Sequence, residues 1–246
     1  MKKVLAIFGA GPGLSSNIVR HYGALGYRVA LVARSAKHLG ELAEQFGKEG
    51  IETAVFPADL SIEQSAIKIA NDIQEKLGRV DVLWYGPLFT HDFTPAQDLT
   101  VAIMRPYIDL FFYGLITSVH AVLPGMKQRG EGTILAGFGG TGHHGLPRLS
   151  GPGPAMNAGR NYLQSLQTEM LEHGISVGAI FTSGGIRGSA DVKRYDAPGG
   201  ADHLPKGFKV PIADPADLLE LLLAAAADPG RLEARWPETP PIPYHN

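Results

Sequence analysis

Short apolar runs alternate with amphipathic segments along nearly the whole chain, and this rhythm restricts the fold more than any single motif. The runs VLAIF (4–8), RVALVA (28–33), TAVFP (53–57), DVLWY (81–85), GTILAGF (132–138) and ISVGAIF (175–181) are almost continuously apolar. Strands buried on both faces read this way, whereas strands with one wet face alternate. The segments between them carry helical signals. In SIEQSAIKIANDIQEKLG, Ser61 and Gln64 have capping-box spacing, and Ile62, Ala66, Ile69, Ile73 and Leu77 fall on one face. In DPADLLELLLAAAADPG, Asp214 is placed to cap, Pro215 takes the first helical position, and Asp228-Pro229-Gly230 stops the helix. Alternating strands and helices predict an α/β fold: a doubly wound parallel sheet, helices on both faces, three layers in all. Ligands on such sheets bind beyond the carboxyl ends of the strands, near the point where strand order reverses. The functional residues are therefore expected just after the strands.

A chain of 246 residues accommodates one such domain, spanning 1–246. Hydrophobic content of 44% and charged content of 19% fit a soluble globular protein. The net charge is −2 and Lys and Arg form no runs, which argues against nucleic acid as the main partner and against a polybasic membrane anchor. The absence of cysteine excludes disulfides, thiolate metal sites and cysteine nucleophiles. The start MKKVLAIFGAG is basic then apolar, as in a signal peptide, but the apolar run is short and breaks into glycines. A buried strand explains it better, and a cytoplasmic location is expected. The glycine-rich segment 183–212 is long for a loop in a compact domain and reads as a lid over a small-molecule substrate. Residues 236–246, rich in proline, read as an extended C-terminal arm available for an oligomer contact.

Phe8-Gly9-Ala10-Gly11-Pro12-Gly13-Leu14-Ser15 follows the first run and opens a helix. Glycines at 9, 11 and 13 let the backbone turn tightly and approach a pyrophosphate, whose charge is met by the helix N-terminus at Leu14. The second run ends Val32-Ala33-Arg34-Ser35. A chain that holds the two free ribose hydroxyls of NAD typically places an acidic side chain there. Here Ala33 is followed by Arg34 and Ser35, a pair suited to a 2′-phosphate, which points to NADP(H). Asp59-Leu60, after the third run, reads either as a contact to the adenine edge or as a turn before Ser61.

With these pieces in place the chain resembles the short-chain dehydrogenase/reductase family over essentially its whole length. The resemblance rests on GAGPGLS, VALVARS, PADLS, VDVLWYGP, HAVLPGMKQRGEGTIL and NYLQSLQTEMLEHGISVGAI, in the family's order and spacing. It implies a Rossmann-type fold, a nicotinamide cofactor and a homo-oligomer, dimer or tetramer. It also adds Tyr85, Gly86 and Ile186 to the expected cofactor contacts. The family's chemistry uses an Asn, a Ser, and a Tyr with a Lys four residues later. The Tyr protonates a carbonyl oxygen, the Lys lowers the Tyr pKa, and the Ser bonds the same oxygen. Aligned by flanking pattern, those positions hold Phe111, Gly139, Pro152 and Met156. No Tyr is followed four residues later by Lys anywhere in the chain. The glycine of the first motif nearest the helix is Ser15, the segment after the fourth run is Tyr85-Gly86-Pro87-Leu88, and the proline-glycine pair after the sixth run is Thr182-Ser183.

Substitute chemistry would have to come from other residues. His143 and His144 follow the fifth run, titrate near neutrality, and are either a proton source or exposed loop residues. Tyr85 ends the fourth run beside the expected ribose. Tyr113 suits core packing and Ser150 suits helix capping. No metal site is expected, because adjacent histidines lack the spacing and nearby carboxylates a metal requires. Three functions remain open: an NADP(H)-dependent oxidoreductase with a non-standard active site, acting on a small carbonyl, imine or alkene; a non-catalytic NADP(H)-responsive regulator or interaction protein; and a redox-neutral enzyme reusing the same pocket.

Overall fold

The structure is a computed structural model that describes residues 1–88, 94–190, 192 and 209–239. Its strands are β1 (Val4–Phe8), β2 (Arg28–Ala33), β3 (Thr53–Pro57), β4 (Val82–Tyr85), β5 (Gly132–Gly139), β6 (Ile175–Thr182), β7 (Gly185–Ile186), β8 (Ile212–Ala213) and β9 (Glu233–Trp236). Its α-helices are α1 (Leu14–Ala24), α2 (Ala36–Lys48), α3 (Glu63–Leu77), α4 (Val101–Ile108), α5 (Gly114–Arg129), α6 (Pro152–Met170) and α7 (Pro215–Ala227). Seven strands form one parallel sheet in the order β3-β2-β1-β4-β5-β6-β9. Strand order reverses at β1, which pairs with β2 on one side and β4 on the other. This is the expected three-layer, doubly wound Rossmann-type architecture, and the crevice between the ends of β1 and β4 is its ligand-binding position.

Side-chain alternation along each strand splits the core in two. Val4, Ala6, Phe8, Leu83, Tyr85 and Ala136 face the layer of α3, α5 and α6. Leu5, Ile7, Leu31, Val82, Trp84 and Leu135 face α1, α2 and α7. β1 is buried along its full length, which is why VLAIF shows no alternation. Burial of a side chain such as Ile7 contributes about 1.5–3 kcal/mol. β3, by contrast, is an edge strand and stays partly exposed.

On the α7 side the layers approach closely. A Cβ at Gly178 of β6 would lie 2.8 Å from the Ala226 Cβ and 3.1 Å from its nitrogen. The run of alanines at 224–227 therefore sets helix-to-sheet spacing as well as helix propensity. Asp214 caps α7 by accepting from the Ala216 N–H, with Pro215 in the first turn, as the sequence predicts. α4 and α5 form one rod, joined by a π-helical turn at Asp109–Tyr113. By length and composition this rod is apolar enough to cross a membrane. Here it packs against α3 and α6, burying Tyr107, Phe111, Leu115 and Val119.

Several sequence expectations are corrected. Ser61 does not cap α3: the helix begins at Glu63 after Ile62, which makes no side-chain cap, and the Ser61 hydroxyl donates to Asp59 instead. Ile62 is exposed rather than on the buried face. The extended arm does not begin at 236, because Trp236 ends β9, a seventh sheet strand paired to β6. Of that arm, 240–246 lies outside the described residues. The proposed lid at 183–212 begins and ends in the β7–β8 pair, while 191 and 193–208 lie outside the described residues.

Candidate active site and cofactor cradle

The loop after β1 is fixed by backbone contacts. The Gly9 and Ala10 N–H groups both donate to the Val32 carbonyl at the end of β2, at 3.0 and 2.8 Å. Gly9 has φ 98°, and a Cβ on it would sit 2.6 Å from backbone atoms of Gly86 and Pro87. Gly13 has φ 85° and faces β7, with the Ile186 Cγ2 3.4 Å from where its Cβ would be. Gly11 faces open space, with nothing within 4 Å of a Cβ there. Ser15, which stands where the family has glycine, accepts from the Gly11 N–H and donates to the Gly11 carbonyl at 2.7 Å. Ser16 and Asn17 add bonds to the carbonyls of Gly11 and Gly13. The first turn of α1, beginning at Leu14, thereby braces a glycine cradle whose outer side is open.

Farther along the crevice, Arg34 is exposed at the end of β2 and Ser35 caps α2 by accepting from the His38 N–H. Burial raises the Asp59 pKa, but the Ser61 hydroxyl and N–H and the nearby Arg34 charge outweigh it, so the carboxyl titrates below its ordinary value. Asp59 thus bonds Ser61 in the turn and lies close enough to Arg34 to sense its charge. Leu60 is buried in the core, which leaves only its backbone available to a ligand. Gly86 is a necessary glycine, since a Cβ would overlap the Trp84 indole at 2.4 Å.

The cradle fits a dinucleotide. Its open center at Gly11 leaves room for a pyrophosphate, and its left-handed turn at Gly13 aims the start of α1 at it. Ser189, which sequence reasoning did not single out, has a buried hydroxyl with no hydrogen-bond partner among the described residues. Its Cβ lies 3.4 Å from where a Cβ on Gly13 would be. An orphaned hydroxyl beside a helix N-terminus is a group that a bound phosphate or amide would satisfy. Its signal in sequence was present: a serine four residues after the second of the paired glycines 184–185 that follow β6.

Two of the positions aligned to the family's chemistry, Gly139 and Met156, come together. A Cβ on Gly139 would lie 3.6 Å from the Met156 Sδ, and a Cβ on Gly142 would lie 2.7 Å from the Met156 Cβ. Pro152 is buried at the first turn of α6. Phe111 is buried in the π-helical turn, and its carbonyl packs 2.8 Å from where a Cβ on Gly159 of α6 would be. This wall is apolar where the family carries a phenol and a cation.

The three substitute candidates are placed elsewhere. Tyr85 is corrected: it is fully buried, its hydroxyl donates to the Leu110 carbonyl, and burial, aided by Asp59, raises its pKa far above the ordinary phenol. It is a core residue that neither donates a proton nor touches a ribose. The His143 ring is 3.0 Å from the Glu233 carboxylate on β9 and edge-on to Phe181. Arg160 of α6 grips the same carboxylate with two bonds, at 2.6 and 3.0 Å. Burial raises the Glu233 pKa, but Arg160 and His143 overcome it and the carboxyl titrates low. The His144 pKa is lowered by burial first, then by His143 and Arg235, and its Nε2 is buried without a hydrogen-bond partner among the described residues. His143 therefore ties the loop after β5 to the sheet edge. No metal-holding cluster exists among the described residues.

Comparison with known proteins agrees with this architecture. Residues 3–195 match the short chain dehydrogenase family. The chain belongs to that family. Dehydrogenase/reductase SDR family member 7B of Danio rerio is 26% identical over 91% of this chain and 74% of its own length. Among solved structures, levodione reductase superposes with a TM-score of 0.82 at 19% identity, covering 95% of each chain. A metagenomic short-chain oxidoreductase in complex with NADP superposes with a TM-score of 0.74 at 19% identity, covering 95% of this chain and 94% of that one. As a short-chain dehydrogenase the chain belongs to a family of oxidoreductases that bind nicotinamide cofactors. Gly9, Gly11, Gly13, Gly86, Ile186 and Ser189 lie around the cradle, and Arg34 is exposed at the end of β2.

Proposed function

We propose that this short-chain dehydrogenase is an NADP(H)-dependent reductase of a small organic carbonyl, imine or activated alkene that works without the family's usual proton donor. Arg34 carries the cofactor reading. It is exposed at the end of β2, preceded by Ala33 rather than an acid, and it makes no ion pair that would occupy its guanidinium among the described residues. A planar guanidinium there suits bidentate pairing with a 2′-phosphate. A bound nicotinamide would supply hydride; the protein's residues would hold the dinucleotide and orient the acceptor, and the product would take its proton from solvent. Orientation alone contributes much of the barrier reduction in such reactions. Absence of a general acid costs about 10²–10⁴ in rate, which favours acceptors that depend less on that proton, such as activated alkenes.

The test is nucleotide titration followed by NADPH oxidation over ketone, imine and enone panels. NADP(H) should bind at least about 10-fold more tightly than NAD(H), and Arg34→Ala should abolish the difference. Absence of nucleotide binding refutes the proposal. A second reading, a non-catalytic NADP(H)-responsive protein, is favoured by the replacement of all four family positions. Tight NADP(H) binding with no turnover on any panel would select it. A redox-neutral enzyme remains the third reading, and an activity that His143→Ala and His144→Ala leave intact would remove the histidines from it. The same proposal includes a homo-oligomer, supported by β9, whose outer edge is unpaired among the described residues.

A further inference from the structure

We propose that Thr141 supplies the hydrogen bond to the substrate's reacting oxygen that Gly139 no longer provides, and that the substrate is a compact ketone or enone with apolar flanks. This rests on the reductase reading and names the residue and substrate class of the same site.

The geometry around Gly139 carries the assignment. Gly139 has φ −70° and ψ 150°, an extended conformation open to any residue. A Cβ built on it would lie 3.8 Å from the Thr141 Oγ1. A serine hydroxyl at 139 would stand one bond beyond that Cβ, so the Thr141 hydroxyl shares its neighbourhood. Thr141 also abuts the start of α6. A Cβ on Gly153, next to Pro152, would be 2.8 Å from the Thr141 carbonyl oxygen and 3.5 Å from its Cβ. Met156 closes the third side, with its Sδ 3.6 Å from the Gly139 Cβ position. Thr141 thus lies where Gly139 and Met156 come together, against the residue that follows Pro152.

The Thr141 hydroxyl is free to act. Among the described residues it makes no hydrogen bond, and it is not one of the polar atoms sealed in the interior. The competing donors are more constrained: the His143 Nε2 is bonded to Glu233, the His144 Nε2 is enclosed, and the Tyr85 hydroxyl is spent on Leu110. A neutral hydroxyl between a proline and a methionine suits a neutral acceptor oxygen. The same apolar wall leaves a charged group on the substrate without a partner, at a desolvation cost. Met156 is flexible and adapts to the shape of an apolar flank. Thr141 orients the oxygen and does not ionise: hydride delivered to the carbonyl carbon, or to the β-carbon of an enone, would leave an alkoxide or enolate that takes its proton from solvent water. Thr141 is a substrate-contacting residue, and the family's acid has no replacement in it.

The probes are cyclohexanone, labelled with ¹³C at the carbonyl, and cyclohex-2-enone. The first readout is the carbonyl resonance of cyclohexanone in the presence of protein and NADP⁺, since a hydrogen bond moves it downfield. The displacement should be present with the parent protein and Thr141→Ser, absent with Thr141→Val, and recovered in Gly139→Ser/Thr141→Val, where the extended backbone and ordinary contacts admit the new side chain. The second readout is kcat/KM for the two probes with NADPH, expected to fall about 10–100-fold in Thr141→Val and to recover in the double variant. NADP⁺ affinity should stay within about twofold throughout, as the cofactor cradle is untouched. A displacement that survives Thr141→Val, or is absent from the parent protein, overturns the assignment. So does a loss of NADP⁺ affinity that matches the loss of turnover. If the parent binds cyclohexanone with the displaced resonance but reduces neither probe, the reductase reading falls and the Thr141 contact stands.

Discussion

Gly9 and Gly11 stand two residues apart in the same turn, yet their surroundings predict opposite consequences for the same methyl group. Gly9 has φ 98°, and an added Cβ would meet the Gly86 carbon and oxygen and the Pro87 nitrogen at 2.6 Å. A left-handed backbone costs a non-glycine residue about 1–2 kcal/mol. Forcing atoms into a packed interior costs about 1–3 kcal/mol, and here the obstruction is backbone, which cannot rotate away. Gly9→Ala should therefore lose about 2–5 kcal/mol of stability, which for a chain of this size lowers Tm by about 4–20 °C. Gly11 does not have a positive φ and has nothing within 4 Å of its Cβ position. Gly11→Ala should melt within about 2 °C of the parent. Its methyl would instead fill the open cradle and weaken NADP⁺ binding at least about 10-fold. Thermal unfolding and nucleotide titration of both variants decide the matter. A Gly9→Ala protein as stable as the parent would refute the close approach of β1 and β4. A Gly11→Ala protein binding NADP⁺ normally would refute the assignment of the cradle to the pyrophosphate.

Two further outcomes follow from other buried groups. Tyr85→Phe leaves the Leu110 carbonyl without its donor and should cost about 1–3 kcal/mol by denaturant unfolding, with kcat unchanged; a large loss of kcat at unaltered stability would reinstate Tyr85 in catalysis. Glu233→Gln should cost about 1–3 kcal/mol at pH 7, because Arg160 and His143 both bond the carboxylate. The folded Glu233 pKa lies below the ordinary 4.5, so its contribution is fully present above that pH and disappears as pH falls through the folded value. Parent and variant should therefore converge in stability at strongly acidic pH, and a gap that persists there would show that the ion pair is not its source.

What the sequence disclosed was set by local pattern, and what it concealed was set by distant partners. Six of the seven sheet strands could be read because each is apolar along its length, and the helix at 215–227 because Asp214, Pro215 and Asp228-Pro229-Gly230 mark its ends. β9 was missed because Glu-Ala-Arg-Trp lies at a sheet edge and buries only Ala234 fully, leaving no apolar run to detect. Alignment brought Gly139 and Met156 to one place, as the structure also does. Tyr85 was misplaced because strand-end position does not reveal which face a side chain takes. Its register partners Phe8 and Ala136 lie in the α3/α5/α6 core, and Tyr85 joins them. His143 looked free because its partner, Glu233, is 90 residues away. Thr141 and Ser189 passed unnoticed because small hydroxyl residues in glycine-rich loops are ordinary in sequence, and only the space around them distinguishes them.

The late addition of β9 has a consequence for how this protein is made. During synthesis β6 leaves the ribosome with its outer edge bare, offering the unpaired N–H and C=O groups of Ile-Ser-Val-Gly-Ala-Ile-Phe-Thr to any neighbouring chain. Only after α7 and then β9 have been translated can Ala179–Thr182 acquire their partners Glu233–Trp236. Arg160 and His143 await the same residue, Glu233, so one short polar strand both covers a sticky edge and neutralises a charged cluster. The yield of soluble protein from a cell should thus depend on the interval between the emergence of β6 and the docking of β9, during which the nascent chain is open to mispairing.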